Sequence, residues 1–450
     1  MPIFPQTIAE RVEGHPAAPR HHSAMSEMNG SPTSKMDARL TSRKAEIARK
    51  VIATRLLREE APLIGVIDFA SLGATINALR AAFPGHFTHA FAAKANSLPA
   101  VLSYMRGAGL GCEVASPNEF SAAINAGFPQ DNIVFDSPAK TTSELRRALL
   151  EGTNLMIDNF QELSRVDELR KANPTRSVIG VRINPQVGSG TITATSTASN
   201  SSKFGIALRD NGNREALVAA YVTRPWLRAL HVHVGSQGCS LELAAEGIRA
   251  VVDLALSIDG ACGYQQIETI DIGGGLPVNF SDESVSPTFD EYAALLRSRV
   301  PELFDGTRRV FTEFGRSVVA KSGLILARVE YTKIMGGRSI AITHAGAHVA
   351  ARTVYQPTNW PLRISAVDTA GNQKTGRLIE QDIAGPCCFA GDILASCRPL
   401  PQLEPGDHIV VHDTGGYYFT SPYIYNSLSP IDIYGANGPD GEIFLEELGR

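Results

Sequence analysis

Residues 89–138 read HAFAAKANSLPAVLSYMRGAGLGCEVASPNEFSAAINAGFPQDNIVFDSP. Three short β-rich runs end at FAAK, CEVAS and IVFDSP. Between them lie LPAVLSYMRGAG and PNEFSAAINAGF, which carry apolar residues at helical spacing. The same unit repeats outward. After an opening strand, LIGVIDF, and the helix SLGATINALRAAF, strands end in order at FAAK, CEVAS, IVFDSP, LMIDN, GVRINP, HVHVGS, IDIGGG and FTEFG. Each is followed by a crossover. Alternating βα units with parallel strands build either an open doubly wound sheet or a closed barrel. Eight is the barrel number. The reading is an α/β chain with a (β/α)8 TIM barrel over residues 66–325, followed by a mainly antiparallel β-domain.

Polar residues cluster at the C-terminal strand ends: Lys94, Glu113, Asp136, Asn184, His233, Ser236, Gly273 to Gly275 and Glu313. In a barrel those ends share one face, where loops build an active site.

Outside the barrel the pattern changes. Residues 1–38 are rich in Pro, Ser, His, Met and Gly without hydrophobic period, and are expected to form a mobile tail. Residues 39–65 hold a helix opened by Thr41-Ser42, running to Pro62, and a strand leading into the barrel, partly associated with the β-domain. Residues 326–450 are strand-like runs divided by Gly, Pro and Asn turns.

Composition narrows the function. The 450 residues carry a net charge of −4 with no long basic run, which speaks against nucleic acid. Hydrophobic residues make up 43% and charged ones 20%, a globular balance. No apolar stretch reaches ~18 residues, so no membrane helix is expected. The N-terminus lacks a basic region followed by an apolar core, so no secretory signal is read there. Six cysteines, two of them adjacent, form neither a disulfide framework nor a zinc pattern; no metal is expected, and a reducing cytoplasmic setting fits.

Lys94 sits at the barrel mouth between Ala and Phe residues. Desolvation is expected to lower its pKa and free the amine as a nucleophile for a carbonyl. The Gly273-Gly274-Gly275 run lets backbone N–H groups approach a phosphate. His233 is placed to stack on a planar ring. Glu313 is placed to pair with a protonated ring nitrogen, with Arg316 near a phosphate or carboxylate. Taken singly, each has a structural explanation. Together they describe a pyridoxal phosphate site.

At these residues the chain resembles the barrel-type pyridoxal-phosphate-dependent amino-acid decarboxylases, the group of diaminopimelate, ornithine and arginine decarboxylases. The resemblance spans roughly residues 60 to 430 and is strongest to the diaminopimelate enzymes. FAAKANS, GCEVASPNEF, SKFGI, HVHVGSQ, DIGGGLP, EFGR, GPCCFAGD and GGYY carry it. It implies that Lys94 carries the cofactor, His233 stacks on its ring and Glu313 holds the ring nitrogen protonated. Glu113 stands where the family usually has aspartate. Ser236, the three glycines and Tyr417 would surround the phosphate. Cys388 would reach the site from a partner subunit and supply a proton, so the implied unit is a homodimer with shared sites.

Departures from the family pattern concern the substrate. The residue after the cysteine, usually acidic and facing a distal ammonium, is Phe389. Arg316 and Arg352 match arginines that hold a distal carboxylate, with Tyr355 nearby at a spacing one residue short. His344 replaces an acid. The Ser/Thr-rich stretch QVGSGTITATSTASNSSKFG replaces a His-Pro-Tyr motif. A rebuilt distal site is expected, taking a carboxylate-bearing substrate without a distal free amine. Two alternatives share the architecture: a pyridoxal-phosphate-dependent racemase, which leaves the ring nitrogen unprotonated, and a non-catalytic pyridoxal phosphate binder. Glu313 argues against the first. The C-terminal domain with GPCCFAGD argues against the second.

Overall fold

The structure, a computed structural model, describes residues 36–172 and 174–449. The proposed tail lies outside the described residues up to position 35. By Asp37 the backbone is already held, its N–H donating to the Ser281 carbonyl at 2.8 Å.

Eight parallel strands close into a barrel: Phe87–Ala92, Gly111–Val114, Ile133–Asp136, Asn154–Ile157, Ile179–Asn184, Leu227–His231, Thr269–Asp271 and Arg309–Thr312. The ring closes where Val310 pairs with Phe87. Crossover helices cover the outside. Their starts are written locally: Ser116 caps the helix Pro117–Asn125, and Thr141 with Glu144 forms a capping box on Thr142–Glu151.

Alternation along the strands layers the interior, since every second side chain points inward. Ala90, Val134, Met156, Ala229 and Phe311 form an apolar floor. Two residues further along the same strands come Ala92, Asp136, Asp158, His231 and Glu313. Glu113 and Arg182 stand with them, all buried. One more step reaches Lys94 and His233. The polar strand ends therefore stand on a dry floor and face one cavity.

The second sheet runs Ile393–Pro401, Leu378–Ala384, Arg338–Thr343, Gly323–Met335, Leu63–Asp68, Asp432–Asn437 and Phe444–Gly449, with His408–His412 and Ile364–Val367 paired off its centre. It is mainly antiparallel. Leu63–Asp68 lies between the strand that leaves the barrel and Asp432–Asn437, parallel to the latter. The N-terminal helix is shorter than expected. It runs Ser42–Ala53, capped by Thr41, and stops before Arg55, whose φ of 57° no helix continues. Its Ile47, Ala48 and Val51 pack on Val66, Leu324, Leu326 and Val410 of the sheet.

The two units meet behind the cavity. Asn96 donates to the Gly415 carbonyl at 2.9 Å, and the Tyr417 N–H donates to the Ala95 carbonyl at 2.7 Å. An ion network supports that loop. Arg363, fully buried, reaches Asp413 at 3.0 Å and Glu283 at 2.8 Å; Lys44 pairs with Glu283 at 2.8 Å and Lys321 with Asp413 at 3.3 Å.

Candidate active site

A cavity of about 440 Å³ opens at the C-terminal end of the barrel. Lys94, His233, Ser236, Gly275, Glu313, Arg316, Arg352 and Tyr417 all line it, brought together from six segments of the chain. Glu113 stands just below and is ion-paired to Lys94. Gly273 and Gly274 form the turn behind His233.

Lys94 corrects the sequence reading. Burial does pull its pKa down, but the negative charges of Glu113, Tyr417 and Glu313 outweigh it, and the net shift is upward. Without a cofactor the amine is held as an ammonium. The expectation considered only the residues flanking Lys94 in sequence; the carboxylates arrive from other strands. Burial and then Glu313 push Glu113 up to about 7, against the opposing charge of Lys94.

His233 accepts from the Gly274 N–H through Nδ1 at 3.1 Å, so its proton belongs on Nε2. Burial, with the Arg182 and Lys94 charges, lowers its pKa to about 3 and keeps the ring neutral. A neutral, fixed imidazole thus lines the cavity. Gly274 and Gly275 approach so closely that a Cβ on either would strike a backbone carbonyl, that of Glu313 or of Gly235. Only glycine fits there; the Gly274 N–H is held by His233 and the Gly273 N–H by Asp271 Oδ1, so of the expected glycine run it is the Gly275 N–H that is left for a ligand.

Arg316 was expected near a phosphate or a carboxylate, and Arg352 near a carboxylate. Each guanidinium stacks on both Trp360 and Tyr417, at 4.5 and 4.5 Å for Arg316 and 4.7 and 4.8 Å for Arg352. Among the described residues neither has a carboxylate partner, and Arg316 Nε is buried without an acceptor. Two like charges held together this way call for an anion. Opposite them the Ser/Thr-rich loop contributes Ala194, Thr195 and Thr197. Thr195 donates its hydroxyl to the Gln237 carbonyl at 2.7 Å, and Thr197 to the His233 carbonyl at 2.5 Å. Their hydroxyls are committed to backbone, so the wall is short of free polar groups.

Cys388, Phe389 and Tyr355 do not join this cavity. Cys388 is exposed. Tyr355, 53% exposed, lies parallel to Phe389 with centroids 5.6 Å apart, and Tyr423 and Tyr425 complete an aromatic cluster. Within one chain these residues belong to a separate surface of the β-domain.

The residues present fit pyridoxal phosphate. A lysine amine faces a roomy cavity, a buried carboxylate oxygen (Glu313 Oε1) lacks a partner, and a glycine turn leaves space for backbone N–H groups alone. Comparison with known proteins agrees. The family described as pyridoxal-dependent decarboxylase, pyridoxal binding domain, matches residues 69–320. The chain belongs to this family. Diaminopimelate decarboxylase of Pseudomonas fluorescens is 34% identical over 343 residues, covering 75% of this chain and 78% of that protein. The Zymomonas mobilis enzyme of the same name is 32% identical, covering 78% and 80%. Among solved structures, diaminopimelate decarboxylase from Helicobacter pylori complexed with L-lysine superposes with a TM-score of 0.76 at 24% identity, covering 88% of this chain and 96% of that one, a likeness of fold. The chain is thus a pyridoxal-phosphate-dependent decarboxylase, a carboxy-lyase of amino-acid metabolism. No helix among the described residues is long and apolar enough to cross a membrane.

Sequence reasoning passed over three groups at this site. His231 and Arg182 lie in the buried polar layer, and Trp360 supports both arginines. The two histidines of HVHVGS stand two apart on a strand and so face the same way, which was a usable signal for His231. Trp360 is brought in by tertiary structure alone.

The glycine turn yields a prediction. Gly275 has φ +104° and no room for a Cβ. Gly275→Ala is expected to weaken cofactor binding at least about fivefold, the lower end of an overpacking cost. Titrating pyridoxal phosphate into cofactor-free protein, followed by absorbance, checks it.

Proposed function

We propose that the enzyme decarboxylates, at its α-carbon, an amino acid or amino-acid conjugate whose distal end carries a carboxylate and no free ammonium. One observation carries the reading: Arg316 and Arg352 line the cavity unpaired, while the position usually acidic in the family is Phe389. A carboxylate set between two guanidiniums gains charge-assisted hydrogen bonds. An ammonium buried against Phe389 brought in by a second copy of the chain would go unpaired, at a cost of several kcal/mol.

In this reading Lys94 holds the cofactor covalently. Ser236, Tyr417 and, at the end of the Gly273 to Gly275 turn, the Gly275 N–H would hold its phosphate, His233 would cover one face of the ring, and Glu113 holds the Lys94 amine. Glu313, whose Oε1 is buried and unpartnered, would face the ring nitrogen and hold a proton there. Pyridoxal phosphate supplies the electron sink for the pair left when CO₂ departs. Arg316 and Arg352 fix the substrate's distal end and so orient the bond that breaks. The threonine wall keeps the middle of the cavity apolar.

Cys388 supplies the proton to the α-carbon, as general acid, from a second copy of the chain. Its distance from the cavity within one chain supports a homodimer with shared sites. Mixing inactive Lys94→Ala and Cys388→Ala chains is then expected to recover up to about a quarter of the activity, since half of each mixed dimer is intact. No recovery with dimers present would contradict the shared site.

The substrate reading is tested by CO₂ release from lysine, ornithine and meso-diaminopimelate. All three are expected to be poor substrates. Phe389→Glu is expected to raise their turnover at least about tenfold by pairing the ammonium. Efficient turnover of any one by the unaltered enzyme sinks the argument from Phe389.

A further inference from the structure

Strand Leu227–His231 and its extension line up Ala229 in the floor, His231 above it and His233 at the cavity wall. His231 is fully buried and has no part in the roles above. Its Nδ1 lies 3.7 Å from Asp136 Oδ1 and its Nε2 lies 3.4 Å from Glu313 Oε2. Behind it, Arg182 is ion-paired to Asp136. Asp271 faces the same space from the neighbouring strand, with Oδ1 accepting the Gly273 N–H at 2.9 Å. The carboxyl groups in this layer are Glu113, Asp136, Asp158, Asp271 and Glu313, and the basic groups facing them are Lys94, Lys140, Arg182, His231 and His233.

Burial alone would pull the His231 pKa down. The charges of Glu313, Asp136 and Asp271 outweigh it and push it up to about 9, so the ring is a cation. Glu313 responds in kind. Burial raises it, but His231 draws it well below the usual carboxylate range. His231 faces one Glu313 oxygen at ion-pair distance, with both its ring nitrogens buried and without a hydrogen bond, and the other Glu313 oxygen is likewise buried without a partner. Asp136, His231 and Glu313 bring their ligand atoms within 4.8 Å of one another. A protonated imidazole cannot bind a metal ion, and Arg182 already supplies the positive charge Asp136 requires.

We propose that His231 is a positioning residue: as a buried cation clamped between Asp136 and Glu313, it holds Glu313 ionised and oriented, so that the proton shared between Glu313 and the cofactor's ring nitrogen rests on the nitrogen. The proposal relies on the reading that Glu313 faces that nitrogen. The reason is electrostatic. On that reading Glu313, 3.4 Å from His231, would stand between His231 and the ring, so the cation would favour the carboxylate-and-pyridinium pair over the neutral one. Without it, a carboxyl group buried among four others takes the proton back.

The test is the NMR resonance of the ring nitrogen in holoenzyme carrying isotopically labelled pyridoxal phosphate. The wild type is expected to show a protonated ring. His231→Gln, which keeps a donor but loses the charge, and His231→Leu are both expected to show the unprotonated ring. Glu313→Gln is the control. A wild-type signal in that variant would remove the underlying reading of Glu313. A shifted signal there, with wild-type signals in both folded His231 variants, would overturn the proposal alone. Should those variants fail to fold or to hold cofactor, the wild-type holoenzyme is titrated upward in pH. The ring signal is then expected to change in step with the His231 imidazole resonance, and a change independent of His231 overturns the proposal.

Discussion

Lys94→Ala is expected to abolish decarboxylation, with kcat/KM falling at least about 10³-fold, because the residue that bonds to the cofactor is lost. The fold is expected to survive. The contact Lys94 makes is with Glu113, whose pKa stands near 7 even beside that ammonium. Without the cation, burial leaves Glu113 a neutral acid, so no uncompensated charge remains inside. Circular dichroism and a thermal melt close to wild type, together with CO₂ release at background, are the predicted combination. Activity within tenfold of wild type would remove Lys94 from the mechanism. The upward shift of Lys94 adds a second expectation. The cofactor-free enzyme presents an ammonium, which cannot attack a carbonyl until its proton leaves. Reconstitution with pyridoxal phosphate is therefore expected to quicken as pH rises, and stopped-flow absorbance can follow it.

The second large effect is on stability. Arg363 is fully buried and bridges Asp413, also fully buried, and Glu283. Arg363→Met keeps the apolar stem and removes the charge. It leaves two carboxylates short of a partner in a low-dielectric space. Breaking a buried pair from one side costs about 3–5 kcal/mol. Lys44 and Lys321 remain near the two acids and set the lower part of that range. Urea unfolding, with the slope unchanged and the midpoint lowered, is the measurement. A loss under about 1 kcal/mol would show that the lysines suffice. Because Asp413 begins the loop that carries Tyr417, weaker cofactor binding is expected to accompany the loss.

The barrel was legible because its signals are local. Each strand, crossover and cap is written within about a dozen residues, and the order of polar strand ends names the face they share. Lys94, His233, Ser236, Gly275, Glu313, Arg316, Arg352 and Tyr417 could be gathered in advance for that reason. What escaped depends on groups distant in sequence. The charge on Lys94 is set by Glu113 and Glu313. The Arg316 and Arg352 pair needs Trp360. The Lys44–Glu283–Arg363–Asp413 network joins four segments whose spacing carries no pattern. The end of the first helix turned on a single residue, Arg55, whose backbone conformation its side chain does not announce. Phe389 was singled out beside Cys388 and Tyr355 beside Arg352, yet Tyr355 stacks on Phe389 instead of facing the cavity. The surface they form stands apart from the cavity of their own chain.

Every role assigned to the cavity rests on Lys94 holding the cofactor there. Borohydride reduction of the holoenzyme followed by peptide mapping tests that directly, since reduction fixes the bond between cofactor and lysine. The predicted result is a bound chromophore that borohydride abolishes, with the label on the peptide carrying Lys94 and no other. A label on a different lysine, such as Lys140 or Lys321, or a protein that takes up no pyridoxal phosphate, would contradict the account.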